Sequence, residues 1–463
     1  MDKEKGVVVG VDIGSDKICA LAGTMDSLGN LNIESLAEYS IHQNGGVTNG
    51  TVVNVDRTAE VIRRVLGQLS EGADINVEFI NVNISGENVE GRVHHSSITR
   101  GDGKSVQPSD VESLAIDIRR TFQPSAGKTL VHTLPQEFFV NNIRVDENPV
   151  GRVGIKLGGD FYAISAPHDT IENISEMVGS IDAILDRNRR VPLQIVNMMF
   201  SPLADSLALL SDTDKKVGVA VVNIGGDTTE VAIFHRKGLR HIAVIPYAGN
   251  SITNDLVEGC QIMPEQAEML KLVYGTTPSD KVDLEEVVVI PGIDGIPDRE
   301  VSAKNAALII EERLKEIAAI VMSEIIKAGY ERQLISGIVL TGGSANLPII
   351  VDIFKKVCSG VNVRVGNPMR FISNSKIASI VNPKYSTVVG LMLSSYKSID
   401  TRVPDSVVMA EIPTHTSMHA HRNVVQSTTK REPAPAPKKP FSGFMDRIKD
   451  FMNDQVKGDS YNS

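Results

Sequence analysis

The chain has 463 residues, 41% of them hydrophobic, and a formal net charge of -10. That length supports more than one hydrophobic core, while the acidic balance argues against a general nucleic-acid binder, which needs a basic surface to neutralise phosphates. With no Trp and 4% aromatic residues, recognition of sugars or bases by stacked rings is not expected; Cys19, Cys260 and Cys358 lie far apart without a C-x-x-C pair, so neither a zinc site nor a disulfide framework is expected.

From residue 6 to about residue 396 strand and helix signals alternate, which predicts an α/β fold. The first residues lead into a five-residue stretch before Asp12, too short for a signal-peptide core. No run reaches the roughly 20 apolar residues of a spanning helix. The expected location is the cytoplasm or the cytoplasmic face of a membrane.

Residues 7–11 form a continuous apolar run, as in a buried strand. It enters Gly10-Val-Asp-Ile-Gly-Ser-Asp-Lys17, with a tight turn at Gly14, Ser15 and Asp16. Glycine there lets backbone N–H groups approach an anion with no Cβ in the way. Asp12 is placed to hold Mg²⁺ through water, and Lys17 to reach a phosphate. Residues 86–166 differ from their flanks: a polar stretch at 101–105, a helical segment at 110–122, and short strands around His132 and Phe138 predict an inserted subdomain.

A second apolar run, 217–224, enters Val221-Val-Asn-Ile-Gly-Gly-Asp-Thr-Thr-Glu-Val-Ala-Ile-Phe234. It repeats the design: strand, polar Asn223, a turn of Gly225, Gly226, Asp227 and Thr228, and a second strand. Residues 304–328 read as one long helix, with Ala307, Ile310, Leu314, Ile317, Ile320, Val321, Ile325 and Ile326 at near-helical spacing. A third run, 337–340, enters Gly337-Ile-Val-Leu-Thr-Gly-Gly-Ser-Ala-Asn-Leu-Pro348. Its turn of Gly342, Gly343 and Ser344 can lie flat against a base and ribose. Taken singly, each turn reads equally well as an ordinary connection.

Beyond about residue 398 the pattern decays, and the Pro/Ala stretch from Pro433 to Pro437 predicts a semi-extended linker. Phe441, Phe444, Met445, Ile448, Phe451 and Met452 then fall within an arc of about 120° on a helical wheel. Arg447 and Lys449 flank the arc, and Asp446 and Asp450 face away. This profile suits a helix lying in a membrane interface with basic residues snorkelling to headgroups. Lys430, Arg431, Lys438 and Lys439 upstream add attraction to anionic lipid, roughly 1 kcal/mol each. A helix docked in a protein groove is the alternative.

In this order the three turns resemble the phosphate-1, phosphate-2 and adenosine motifs of the actin, hexokinase and heat-shock-chaperone superfamily. Within it, Arg240-His-Ile-Ala-Val-Ile-Pro-Tyr-Ala-Gly-Asn250, His132-Thr-Leu-Pro-Gln-Glu-Phe138 and Asn148-Pro-Val-Gly151 resemble the FtsA family, the last two its subdomain 1C. The resemblance implies an actin-like two-lobed fold, each lobe with an RNase-H-like sheet, and ATP and Mg²⁺ in the cleft. Subdomain 1A would be 6–85 and 167–200, 1C 86–166, 2A 201–251 and 325–396, and 2B 252–324. A disordered linker, 397–440, and a membrane-targeting amphipathic helix, 441–453, would follow. Tyr385-Ser-Thr-Val-Val-Gly-Leu391 looks like the closing helix of the second lobe. Nucleotide-binding residues would be Gly14, Ser15, Asp16, Lys17, Gly225, Gly226, Asp227, Thr228, Gly342, Gly343 and Ser344. Glu268 and Lys271 on the helical stretch 265–271 would reach the adenosine, unless they are solvated helix charges. Asp12 and Asn223 would hold Mg²⁺ through water. The implied partners are FtsZ filaments, further copies of the chain, later division proteins and inner-membrane anionic lipid at the division site, with no nucleic acid.

Three positions depart from the pattern. Asn223 stands where the superfamily usually has a Mg²⁺-coordinating Asp, and an amide is a weaker ligand for a hard cation. Asp227 replaces a usual glycine, and its carboxylate should repel a triphosphate unless a metal bridges them. Ser201 stands where a Glu or Gln often positions the attacking water. Slow or undetectable hydrolysis is therefore expected, and no catalytic residue is assigned. A small-molecule kinase or a pilus-assembly adaptor of the PilM type are the alternatives; the amphipathic tail argues against both.

Overall fold

The computed structural model describes residues 7–397, apart from 42–44, 74, 102, 146–147, 186–188, 293–296 and 376. The expected linker beyond residue 397 and the amphipathic helix at 441–453 lie outside the described residues.

The first apolar run forms β1 (Val8–Ile13), and the chain doubles back through β2 (Lys17–Met25) and β3 (Leu31–Ser40). A small hairpin, β4 (Val47–Thr48) and β5 (Thr51–Val52), precedes α1 (Val55–Ala73) and β6 (Phe79–Ile84). Next come β7 (Glu90–Thr99), α2 (Pro108–Thr121), β8 (Lys128–Val140), β9 (Ile143–Val145) and β10 (Lys156–Pro167). The chain returns through α3 (His168–Gly179), the hairpin β11 (Asp182–Leu185) and β12 (Arg189–Pro192), β13 (Gln194–Phe200), α4 (Ser201–Leu209) and α5 (Asp212–Val217). The second half runs β14 (Val219–Ile224), β15 (Thr229–His235), β16 (Gly238–Ile245), α6 (Gly249–Cys260), α7 (Pro264–Tyr274), β17 (Val287–Ile290), β18 (Arg299–Ser302) and α8 (Ala303–Lys327). It closes with β19 (Gly337–Thr341), α9 (Ile350–Val357), β20 (Val363–Val365), β21 (Ile372–Ser375) and α10 (Ser386–Ser394).

Among the described residues the two large sheets have the orders β13-β6-β1-β2-β3-β21 and β16-β15-β14-β19-β20. Setting β21 aside, they share one topology. Each has three antiparallel neighbours, β1 to β3 or β14 to β16, continued by two parallel strands. This is the two-lobed, actin-like architecture, and using one topology twice explains the recurring turn. In each sheet the first strand must reverse into the second at its carboxyl end, and both reversals carry glycine. β14 is covered on both faces, so its residues are nearly all buried and do not alternate with polar ones.

Residues 86–166 form a separate antiparallel sheet, β7-β10-β8-β9, with α2 laid across it. Val111, Leu114, Ala115 and Ile118 of α2 face that sheet at helical spacing. The two short strands expected around His132 and Phe138 are one 13-residue strand, β8. Pro135 lacks an N–H and would interrupt a regular ladder. The register against β10 shifts between Asp160 and Phe161, leaving Gln136 as the extra residue, and this bulge carries the strand through.

Two more expectations change. The run at 217–224 begins as a strand only at Val219, because a Ser211–Asp214 capping box makes 212–217 helical. α10, expected to close the second lobe, packs on β1, β2 and α4, and β21 hydrogen-bonds to β3 of the first sheet. Val388, Val389, Leu391 and Met392 share one buried cluster with β1 and α4 and with Val219, Val221, Ala232 and Phe234 of the second sheet. α4 and α10 therefore fill the space between the two sheets. Their close crossing requires Gly390, where a Cβ would lie 1.9 Å from the Ala204 carbonyl oxygen.

Candidate functional site

The two glycine hairpins meet across the cleft. A Cβ built on Gly226 would lie 2.9 Å from the Asp16 Cβ, so the β1–β2 and β14–β15 turns are in contact. The second turn closes with Gly225 N–H donating to the Thr228 carbonyl at 3.0 Å. Its Gly225 and Gly226 carbonyls accept the N–H groups of Gly249 and Asn250 at the start of α6, at 3.1 and 2.7 Å. The backbone N–H groups of Gly226, Asp227 and Thr228 take no acceptor among the described residues, which leaves three adjacent donors for an anion.

The third turn joins the second. Gly342 has φ +88° and would place a Cβ 2.4 Å from Asn223 Oδ1, so only glycine fits. Ser344 Oγ donates to the Gly225 carbonyl at 3.3 Å. Lys271 reaches the same point: its buried Nζ donates to the Gly249 carbonyl at 3.1 Å and Thr253 Oγ1 at 3.0 Å, and pairs with Glu268 at 2.6 Å. Glu268 and Lys271 thus face inward as an ion pair beside the glycine turns, with Lys271 buried rather than a solvated helix charge. Gly225, Gly226, Thr228, Glu268, Lys271, Gly342 and Ser344 are brought to one place; Gly343 follows in the same turn.

Lys17 is directed elsewhere. Its Nζ donates to the Lys384 carbonyl at 3.0 Å and lies 5.0 Å from the centroid of the Tyr385 ring. Ser15 Oγ accepts the Gly50 N–H at 2.9 Å, which fixes the β4–β5 hairpin above the first turn. Asp227 accepts from both lobes: Asn49 N–H donates to its Oδ2 and Asn250 Nδ2 to its Oδ1, each at 2.8 Å.

The floor of the cleft holds two buried acids, Asp205 and Glu230, with the half-buried Asp12 near them. Burial pushes the Asp12 carboxyl above its ordinary value against the pull of Lys17. Asp205, on α4, is pushed up to about 7 by burial, opposed by hydrogen bonds from Asn223 and Thr387. Those bonds are Asn223 Nδ2 to Oδ2 at 2.8 Å and Thr387 Oγ1 to Oδ1 at 2.9 Å. Glu230 is pushed up to about 8 by burial, although Ser85 Oγ donates to its Oε1 at 2.6 Å; nearby Asp205 and Asp12 raise it further. Asp205 and Glu230 escaped sequence reasoning. The available signal was a lone carboxylate inside an apolar helix, Ser201-Pro-Leu-Ala-Asp-Ser-Leu-Ala208, and another inside the apolar strand β15. Ser201 Oγ donates to the Ile84 carbonyl and accepts from Asn83 Nδ2, both at 3.2 Å. Among the described residues no group of three His, Cys, Asp or Glu side chains is placed to hold a metal ion.

The inserted subdomain bears on this region. Buried His132, whose pKa burial pushes down to about 3, is neutral and accepts the Phe200 N–H at Nε2, next to Ser201. Gln136 Nε2 donates to the Leu239 carbonyl at 2.8 Å, and the Ile242 N–H donates to Tyr162 Oη at 3.1 Å, joining the insertion to β16. Among the described residues no helix is long and apolar enough to cross a membrane.

Comparison with known proteins gives a consistent set of relatives. The family model for cell division protein FtsA matches residues 220–390, and the model for the SHS2 domain inserted in FtsA matches residues 86–165. The cell division protein FtsA of Pseudomonas aeruginosa is 29% identical over 388 residues, covering 84% of this chain and 88% of the relative. That of Escherichia coli K12 is 28% identical over 418 residues, covering 87% and 95%. The solved PilM–PilN type IV pilus biogenesis complex matches with a TM-score of 0.60 at 14% identity, over 84% of this chain and 98% of that one, a likeness of fold alone.

Proposed function

The chain belongs to the FtsA family of cell-division proteins, and on that premise we propose that it is a nucleotide-binding, self-assembling protein that tethers FtsZ filaments to the inner membrane at the division site and recruits later division proteins. The observation that carries the nucleotide part is the convergence of the glycine turns. Free N–H donors at Gly226, Asp227 and Thr228 lie beside Gly342, Ser344 and the Lys271–Glu268 pair. The donors suit phosphates, and the Lys271 side suits the nucleoside. Asp12 and Asn223 would bind Mg²⁺ through water, adding to the charge that offsets the phosphates.

Hydrolysis on this reading is slow or absent. Ser201 is tied to Ile84 and Asn83 and has no long arm to orient a water. Phosphate release at the rate of an ordinary ATPase would defeat this part.

The membrane part rests on the amphipathic pattern at 441–453. One short helix binds lipid marginally, and polymerisation multiplies the anchors. Co-sedimentation with anionic liposomes, with and without residues 441–463 and with and without Mg-ATP, tests it. Binding that needs the tail and strengthens with ATP supports an anchored polymer. A full-length protein left in the supernatant favours a soluble adaptor, the reading to which the PilM likeness of fold is also suited.

A further inference from the structure

We propose that the nucleotide cleft of this chain is built for a nucleoside diphosphate, because the Asp227 carboxylate stands in for a terminal phosphate. The inference rests on the nucleotide-binding reading above and concerns which nucleotide the cleft takes. Asp227 sits in the second glycine turn, within the row of N–H donors that would receive phosphates. Its two oxygens are both engaged. Oδ2 takes the backbone N–H of Asn49, at the tip of the β4–β5 hairpin, and Oδ1 takes the side-chain amide of Asn250, at the start of α6.

The two donors come from opposite lobes, so one anionic group bridges the cleft. A phosphate oxygen arriving at this point would make the same two hydrogen bonds. The position is already held by a tethered carboxylate, and Gly50 N–H on Ser15 Oγ keeps the hairpin tip in place. A second anion here meets like charge at close range and must displace Asp227 from both donors. A diphosphate, ending one phosphoryl group short, uses the free N–H groups of the turn without that displacement.

Two measurements on the full chain test this. In the first, the affinities of ADP and of a non-hydrolysable ATP analogue, each with Mg²⁺, are measured for the unmodified protein, Asp227→Asn and Asp227→Gly. The expected result is about tenfold tighter binding of ADP to the unmodified protein, and a gain of about tenfold for the triphosphate in both variants with ADP little changed. Equal or tighter triphosphate binding to the unmodified protein overturns the proposal, as does an equal loss of both nucleotides in Asp227→Asn. If neither nucleotide binds any of the three proteins, the nucleotide-binding reading itself falls and takes the proposal with it. In the second, hydrogen exchange is followed over residues 45–52 without nucleotide. Asp227→Gly, which removes the acceptor, is expected to lose protection at the Asn49 amide while the rest of the chain keeps its own. Unchanged protection there overturns the bridge, and a global loss is recognised as misfolding, in which case Asp227→Ala carries the test.

Discussion

Asp205 and Glu230 are carboxyls that the fold keeps from water. Their ordinary values of 3.8 and 4.5 rise to about 7 and about 8 on burial, so the folded protein holds these protons more tightly than the unfolded chain does. The stability they contribute is complete below the ordinary values and is lost as pH rises through about 7 and about 8. Each group can cost up to about 1.4 kcal/mol per pH unit inside that window. The melting temperature should therefore fall between pH 5 and pH 8, and the double variant Asp205→Asn, Glu230→Gln should flatten the slope. A slope unchanged in that variant would place its origin in other groups. The same burial explains why Asn223 is tolerated at the end of β14. It donates to Asp205, so a carboxylate stands one hydrogen bond away, on the neighbouring helix.

At the scale of elements, the contact between α4 and α10 is a tight constraint. Gly390 presses against the Ala204 backbone, which cannot rotate away as a flexible side chain would. Gly390→Ala should cost about 2–3 kcal/mol of stability, read from the urea midpoint, as overpacking does in a core. A loss within about 0.5 kcal/mol would mean that the helices part without penalty. The crossing matters beyond stability. Thr387 on α10 and Asp205 on α4 are hydrogen-bonded across it, and Asn223 joins both from the second sheet, so a shift of either helix reaches the floor of the cleft.

For the molecule as a whole, the described chain is held together across the cleft at more than one level. Ser85 and Glu230 link the lobes at the floor, Asn49 and Asp227 at the rim. The 86–166 insertion adds a brace, through His132 to the residue before α4 and through Gln136 and Tyr162 to the edge strand β16. The Arg240 guanidinium, 3.4 Å from Glu137, lies in the same joint. β16 also gains cover for its outer edge, which would otherwise present free N–H and C=O groups.

The α/β class, the glycine turns, the long helix α8 and the inserted subdomain were legible in the sequence because each is a local pattern: a continuous apolar run, a turn residue, a helical spacing. Runs such as β14 and β19 read clearly because strands covered on both faces need no polar alternation. The family resemblance came from contiguous motifs for the same reason. What depended on residues distant in the chain was not legible. The partners of Asp227, at 49 and 250, and the pairing of Ser85 with Glu230 cross the lobes, and nothing in the local sequence announces them. The bond from Lys17 to the Lys384 carbonyl is likewise set by where the last helix packs. The first-lobe seat of α10 and β21 had the same origin. An apolar helix carries no address, and only the two closed sheets determine which space is left for it to fill.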